Sequence, residues 1–215
     1  MIVFPDPSQA DENGLLAAGG DLEPETLLAA YANGIFPWYA EDQPVLWWSP
    51  DPRMVLFPAE FHCSKRLARR MRQNLYSVSF DDAFDDVIRL CAEIPRKGEH
   101  GTWILPEMME AYQRMHRLGH AHSVEVRENG DLVGGLYGIL HHDVFFAESM
   151  FSLKTDASKI ALATLCERAL KSGWKLIDCQ FHTAHLQSLG AGEISRDQFL
   201  NMIRTAVSRR NWPEL

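Results

Sequence analysis

Asn129-Gly130 constrains the fold of this chain more tightly than any other feature. Both residues accept positive φ, so the pair closes a two-residue β-hairpin between Ser123-Val124-Glu125-Val126 and the run from Leu132 to Ile139. A third segment, Asp143 to Ser149, extends the hairpin into a meander. Thr155 to Leu170 then carries Ile160, Ala161, Thr164, Leu165 and Ala169 on one helical side, and Gly173 supplies the stop. Lys175 to Phe181 reads as the next strand. Strand, helix and strand form a crossover, which sets the two strands parallel.

The remaining punctuation adds helices to this sheet. Asp21-Leu22-Glu23-Pro24 opens one helix and Gly34 closes it. From Phe4 to about Pro58 the chain is rich in Pro, Gly and Trp, and from Gly34 to Arg53 it reads as turns and short strands. Further helices are expected around Ser64 to Asn74, near Asp82 to Ala92 with Phe84, Val87, Ile88 and Cys91 inward, and from Pro106 to Gly119 with Met109, Tyr112 and Met115 inward. Ser195-Arg196-Asp197-Gln198 fits a capping box and starts a last helix that buries Phe199, Met202, Ile203, Ala206 and Val207. The expected class is α+β: a small Trp/Pro-rich domain over residues 1–60 and a larger domain over 61–215 with a mixed, mainly antiparallel sheet. One crossover helix on such a sheet is similar to acetyltransferase-like folds, which move acyl groups onto amines, although fold alone does not assign function.

Composition narrows the classes of function. With 46% hydrophobic and 23% charged residues in a chain of 215, the sequence has the make-up of a soluble globular protein. Its longest apolar runs fall far short of the roughly 18 residues that span a bilayer, and Met1-Ile2-Val3-Phe4-Pro5 has neither the basic start nor the apolar stretch of a signal peptide. A cytoplasmic protein is expected. Cys63, Cys91, Cys166 and Cys179 stand far apart without a Cys-x-x-Cys pair, arguing for free thiols rather than a disulfide framework or a zinc site. The net charge of −8 is the wrong sign for coating a nucleic acid, so any RNA contact is local.

One place for such contact is Ser64-Lys65-Arg66-Leu67-Ala68-Arg69-Arg70-Met71-Arg72, with five cations and no acid. On a helix, Lys65, Arg69 and Arg72 share a face with Arg66 and Arg70 beside it, a stripe that suits a phosphate backbone or is simply a solvated face. Trp38, Trp47, Trp48 and Trp103 serve either as core or as platforms on which the bases of a single-stranded end stack. Alternation along Leu176 to Phe181 puts Asp178 and Gln180 outward on one face and Ile177, Cys179 and Phe181 on the other. With the preceding strand as parallel neighbour, Glu148 lies near its carboxyl end, a favoured ligand crevice, and the three polar groups would receive a cationic amine. The bland alternative is that Asp178 caps the loop from Phe181 to Gly192. Cys179 on the apolar face reads as a core cysteine rather than a nucleophile, and His182 and His185 as loop hydrogen-bonding groups without a spaced third metal ligand.

Several uncommon strings occur together: Asn13-Gly14-Leu15-Leu16-Ala17 with Gly19-Gly20-Asp21-Leu22, Gly34-Ile35-Phe36-Pro37-Trp38, Trp47-Trp48-Ser49-Pro50-Asp51-Pro52-Arg53, Gly101-Thr102-Trp103-Ile104, Gly119-His120-Ala121-His122-Ser123, Gly134-Gly135-Leu136-Tyr137-Gly138, Glu148-Ser149-Met150-Phe151-Ser152 and Leu176-Ile177-Asp178-Cys179-Gln180. In this order, and over nearly the whole chain, they resemble the bacterial leucyl/phenylalanyl-tRNA–protein transferases. The resemblance implies an enzyme without metal or nucleotide cofactor that moves Leu or Phe, with Met as a further candidate, from its tRNA to proteins beginning with Arg or Lys and marks them for degradation; a monomer is expected. It implies Glu148, Asp178 and Gln180 as the polar centre, and Trp38 and Trp103, with Tyr112 nearby, beside the terminal adenosine. Leu136, Phe145, Met150, Leu165 and Ala169 would line the aminoacyl side-chain pocket, and Lys65, Arg66, Arg69, Arg70 and Arg72 would hold the acceptor stem. Family members often carry Met where Leu136 stands and Phe where Leu165 and Ala169 stand, so a wider pocket is expected here.

Chemically, the donor is an activated ester and the acceptor an α-amine of ordinary pKa about 7.7–8.0, so positioning matters more than a strong base. Gln180, polarised by Asp178, is expected to accept a hydrogen bond from the amine while Glu148 orients the substrates. The ribose hydroxyl is the other candidate proton relay. Competing readings are an acyl-CoA-dependent acetyltransferase, against which the glycine-free Ser149 to Thr155 speaks, and a non-catalytic RNA-end-binding module, which leaves the Glu148, Asp178 and Gln180 cluster unexplained.

Overall fold

The computed structural model describes residues 3–94 and 103–205. In chain order the elements are β1 (Leu15–Ala18), α1 (Pro24–Ala32), β2 (Phe36–Pro37), β3 (Leu46–Trp48), β4 (Arg53–Leu56), α2 (Lys65–Arg72), β5 (Ser77–Phe80), α3 (Phe84–Glu93), α4 (Pro106–Arg117), β6 (Ala121–Glu128), β7 (Asp131–His141), β8 (Val144–Ser152), α5 (Ala157–Ser172), β9 (Leu176–Gln180), α6 (Ala184–Ser188), β10 (Gly192–Ile194) and α7 (Arg196–Arg204). Strands β1, β3 and β2 form a small antiparallel sheet, and the other seven form a larger sheet in the order β10-β4-β9-β8-β7-β6-β5. The class is α+β, with one parallel pair, β8 with β9, in an otherwise antiparallel large sheet. No helix among the described residues is long and apolar enough to cross a membrane.

Local chemistry explains most element boundaries. Asn129 and Gly130 take φ of 53° and 92° and leave Glu128 opposite Asp131, the two-residue turn demanded by the flanking alternation. Ser195 accepts from Gln198 N while Gln198 returns a bond to the Ser195 backbone, the reciprocal capping box read from the sequence. Phe84, Val87, Ile88 and Cys91 are the buried stripe of α3. In α4 the stripe is rotated from expectation: Met108, Ala111, Tyr112 and Met115 are buried, whereas Met109 is only partly covered. In α7 the buried residues are Phe199, Leu200 and Ile203, with Met202 partly covered; Ala206 and Val207 lie outside the described residues. Strands β5 and β10 and helix α6 were not expected from periodicity, because segments of three to five residues carry too few repeats to reveal a period.

The large sheet has a different core on each face. One face packs with α1, α3, α4, α7 and the small sheet around Tyr31, Trp47, Tyr112, Tyr137, Phe146 and Phe199. The other packs with α2 and α5 around Leu136, Phe145, Leu165, Ala169, Ile177 and Cys179. Two irregularities occur where the faces approach each other. Strands β8 and β9 pair only from Val144/Leu176 to Phe146/Asp178, after which β8 stays with β7 and β9 with β4. Meanwhile the β7–β8 register slips between Tyr137/Ser149 and Gly138/Ala147, leaving Glu148 as the extra residue of a bulge. A bulge reverses the alternation, so Phe146 and Phe151 pack on one face while Phe145 and Met150 pack on the other.

Strand β4 belongs to the large sheet although it precedes residue 60. The small sheet and α1 are seated on the large one through Gly34, which has φ +70° and lies where a Cβ would come within 2.8 Å of Leu200 and 3.0 Å of Phe199. Gly34→Ala therefore adds both backbone strain and overpacking. An expected loss of about 2–4 kcal/mol is to be read by denaturant unfolding, and a loss below about 0.5 kcal/mol would refute this account of the seam.

Candidate functional site

Asp178 anchors the site from below. The alternation of β9 predicts it facing outward beside Gln180, but its side chain is fully buried. Neighbouring β4 brings Arg53 directly against it: Arg53 Nε donates to Oδ1 at 2.8 Å and Nη2 to Oδ2 at 2.7 Å. The guanidinium also donates to Gly34 O at 3.1 Å and lies 4.7 Å from the Phe36 ring and 4.5 Å from the Phe199 ring. Two paired charges with fork geometry and aromatic faces on either side are tolerable in a dry interior; one alone is not. The face expected to meet solvent is thus covered by β4, α7 and the small sheet. The remaining work of Asp178 is local, because Oδ1 also accepts from Gln180 N at 3.1 Å.

That bond helps to hold Gln180 at φ +58°, a left-handed conformation in which the strand alternation ends. Gln180 follows the last β8–β9 pair, where the two strands part, and among the described residues its Nε2 is buried without a hydrogen-bond partner. An unmet buried donor costs about 1–3 kcal/mol. Arg53 was not singled out from the sequence, although it closes the Trp47 to Arg53 string. The missing signal is spatial, since Arg53 and Asp178 lie 125 residues apart.

Glu148 stands in the bulge of β8, on the other strand of that parting. Tyr31 from α1 donates to its Oε1 at 2.8 Å and Tyr112 from α4 to its Oε2 at 3.0 Å, while the two phenol oxygens are 2.5 Å apart. Proton counting explains what this triangle prefers. Three oxygen–oxygen contacts need three protons, an ionised carboxylate with two phenols supplies two, and a protonated carboxyl completes the ring. Burial is the main influence raising the Glu148 pKa, to about 7, with the charge of Asp178 adding to it against the two phenols and Arg53. Burial and the facing carboxylate hold both phenols well above the usual tyrosine range, so they remain donors. Tyr31 was also missed by the sequence reading, where it looks like one more apolar position of α1.

Aromatic residues cluster beside the residue that follows β9. Trp38 is 41% exposed, with ring centroids 5.5 Å from Trp48 and 5.4 Å from Phe181, the residue after Gln180. Tyr39 donates to Glu107 at 3.1 Å and so ties the Trp38 segment to the first turn of α4, which Trp103 closely precedes. Trp103 is half-buried, and Trp47 is core with 2% exposure. Tyr112 is fully buried, so its ring offers no stacking face to a base. Leu136, Phe145, Leu165 and Ala169 are buried on the α5 side, with Met150 partly accessible. They belong to the core on the other face of the sheet from Tyr31 and Tyr112, the hydrogen-bond partners of Glu148.

The other candidates separate cleanly. Cys179 is buried in the α5-side core and burial pushes its thiol far up, so it is no nucleophile. His182 contacts Gln187 at 3.3 Å, and no metal-holding group of three His, Cys, Asp or Glu occurs among the described residues. On α2, Leu67 is buried; Arg66 and Arg70 reach Asp156 at 3.6 and 3.5 Å, while Lys65, Arg69 and Arg72 are exposed. A cavity of about 410 Å³ between α2, Pro58–Phe61 and α5 includes Met71, Arg72 and Cys166 in its walls.

Two measurements check this account. Arg53→Met strands the buried Asp178 charge and is expected to cost about 3–5 kcal/mol in unfolding; a loss under 1 kcal/mol would contradict it. A carboxyl with a raised folded pKa favours folding fully below its unfolded value near 4.5 and loses that contribution as pH rises through about 7. Relative to Glu148→Gln, the native protein should lose roughly 2–3 kcal/mol between pH 4.5 and 8, and parallel stability profiles would exclude the shift.

Residues 55–204 match the family described as Leucyl/phenylalanyl-tRNA protein transferase, and residues 20–51 match its N-terminal domain. A leucyl/phenylalanyl-tRNA–protein transferase from Syntrophobacter fumaroxidans is 58% identical over 202 residues, covering 94% of this chain and 86% of that one. One from Stutzerimonas stutzeri is 56% identical over 199 residues, covering 93% and 88%. Among solved structures, a GCN5-related N-acetyltransferase from Kribbella flavida is similar at TM-score 0.42 and 10% identity, covering 80% of this chain and 61% of that one. With a family match over most of its length and relatives above half identity, the chain belongs to the leucyl/phenylalanyl-tRNA–protein transferase family.

Proposed function

We propose that this enzyme, an aminoacyltransferase by its family, moves Leu or Phe from aminoacyl-tRNA to the α-amine of proteins beginning with Arg or Lys, marking them for degradation. The observation that carries this reading is the Gln180 Nε2, buried and unsatisfied among the described residues where β8 and β9 part, together with the phenol-held carboxyl of Glu148 in the bulge of β8. An apolar side chain passes toward Leu136, Phe145, Met150, Leu165 and Ala169, and the terminal adenosine rests against Trp38 and Trp103. The acceptor stem lies along α2, where Lys65, Arg69 and Arg72 reach solvent while Arg66 and Arg70 are partly occupied by Asp156.

In the transfer the amine nitrogen attacks the ester carbonyl carbon, the new C–N bond forms, the C–O bond to the ribose breaks, and one amine proton ends on the ribose oxygen. The Gln180 side chain holds the reactants through hydrogen bonds. Asp178 acts through the Gln180 backbone, holding its conformation from beneath. Glu148, with a pKa near 7, attracts the incoming ammonium and accepts its proton. Holding amine and ester in contact supplies the main rate advantage, since effective molarities of about 10⁵–10⁸ M are reached by well-oriented groups.

The direct test mixes the protein with Leu-tRNA and a peptide starting with Arg, without ATP or added metal, and looks by mass spectrometry for leucine at the peptide N-terminus; tRNA binding without product would leave only an RNA-end-binding module. Gln180→Ala should lower kcat about 100-fold or more with little change in tRNA affinity, whereas undiminished turnover would remove it from the reaction. Exchanging Lys65, Arg69 and Arg72 together for Ala should weaken tRNA binding and reduce its log–log salt slope by about two units, and an unchanged slope would return α2 to a solvated face.

A further inference from the structure

We infer that Trp174 is a specificity-determining residue, forming the wall that sets the size of the aminoacyl side-chain pocket. The inference rests on the proposed pocket of Leu136, Phe145, Leu165 and Ala169 and adds a residue on a different element. Helix α5 closes with Gly173 at φ +70°. Gly173 N then donates to Leu170 O at 3.3 Å and Trp174 N to Ala169 O at 2.9 Å. These are the two bonds of the Schellman motif, in which the residue after the left-handed glycine turns back onto the last helical turn, at the very position Ala169 occupies.

The indole obeys that geometry. It is only 7% exposed and belongs to the same buried cluster as Leu136, Leu165, Ala169 and Ile177. Its ring lies parallel to Phe145, centroids 5.9 Å apart at 3°. Ala169 brings a single methyl group yet has no exposed surface. A one-carbon side chain cannot close such space alone; an indole brought back over the same turn supplies the volume. The bulk that limits the pocket thus comes from the loop after the helix, and the pocket is narrower than the small side chains at Leu165 and Ala169 suggest by themselves. A wall of this kind acts by size, favouring the branched aliphatic Leu over the longer, flat Phe.

The experiment is a competition: equal Leu-tRNA and Phe-tRNA offered to the full-length enzyme with an Arg-initiated peptide, reading the ratio of kcat/KM for the two residues. Trp174→Ala should shift the ratio toward Phe roughly tenfold or more, and Trp174→Phe, which retains a ring and guards against a folding failure, should shift it the same way by less. Phe145→Ala tests the underlying pocket separately. If Phe145→Ala moves the ratio while both Trp174 variants leave it at the native value, the role of Trp174 is refuted and the pocket stands. If none of the three variants moves it, the pocket assignment and the inference fail together. A fall in total rate without a change in ratio counts against Trp174, because loss of stability lowers both substrates alike.

Discussion

The buried pair of Arg53 and Asp178 is the contact on which the rest of the molecule depends. It joins neighbouring strands β4 and β9, reaches Gly34 at the end of the α1 segment, and is flanked by Phe36 of the small sheet and Phe199 of α7. Four parts of the chain therefore meet on one charge. Its energetic logic is conditional: an apolar pair of similar volume would serve stability as well, but once one charge is present the other is compulsory. What the ion pair adds is direction. A bidentate fork accepts one arrangement of strand ends, and the free hydrogen-bonding capacity of Asp178 is spent on the Gln180 backbone.

From that anchored base the sheet opens. Beyond the Phe146/Asp178 pairing the parallel strands separate, and the bulge in β8 turns Glu148 to the side where Tyr31 and Tyr112 wait for it. Gly138, opposite the bulge, has to be glycine for a steric reason, since a Cβ there would fall 2.1 Å from Phe146 O. The bulge thus gives Glu148 its two phenol partners, and burial there raises its pKa to about 7.

Periodicity works best where neighbours in sequence are neighbours in space. The Asn129-Gly130 turn, the Ser195 capping box, the α3 stripe and the apolar setting of Cys179 are all short-range matters, and each is legible from residues within one or two turns. In α4 the stripe includes Met108 instead of Met109, because two adjacent methionines satisfy the pattern nearly equally and packing chooses between them. Asp178 shows the stronger limit. Alternation correctly sets it opposite Cys179 but cannot say that the polar face is roofed over by Arg53 and Phe199. The contacts of Arg53 and Tyr31 were invisible for the same reason, as each is made with partners distant along the chain.

By itself, the sequence determined the order of hairpin, crossover helix and parallel return strand, and hence that Glu148 and Gln180 stand near adjoining strand ends. It also determined the family, because the uncommon strings recur in order along almost the whole chain. Only the tertiary structure decided the chemical state of these polar groups. The charge of Asp178 is neutralised from a strand that precedes it by 125 residues, the proton balance of Glu148 is set by phenols from two separate helices, and among the described residues Gln180 Nε2 has no hydrogen-bond partner. Burial and pairing are properties of the packed whole, and they, more than residue type, fix the chemical state of a side chain.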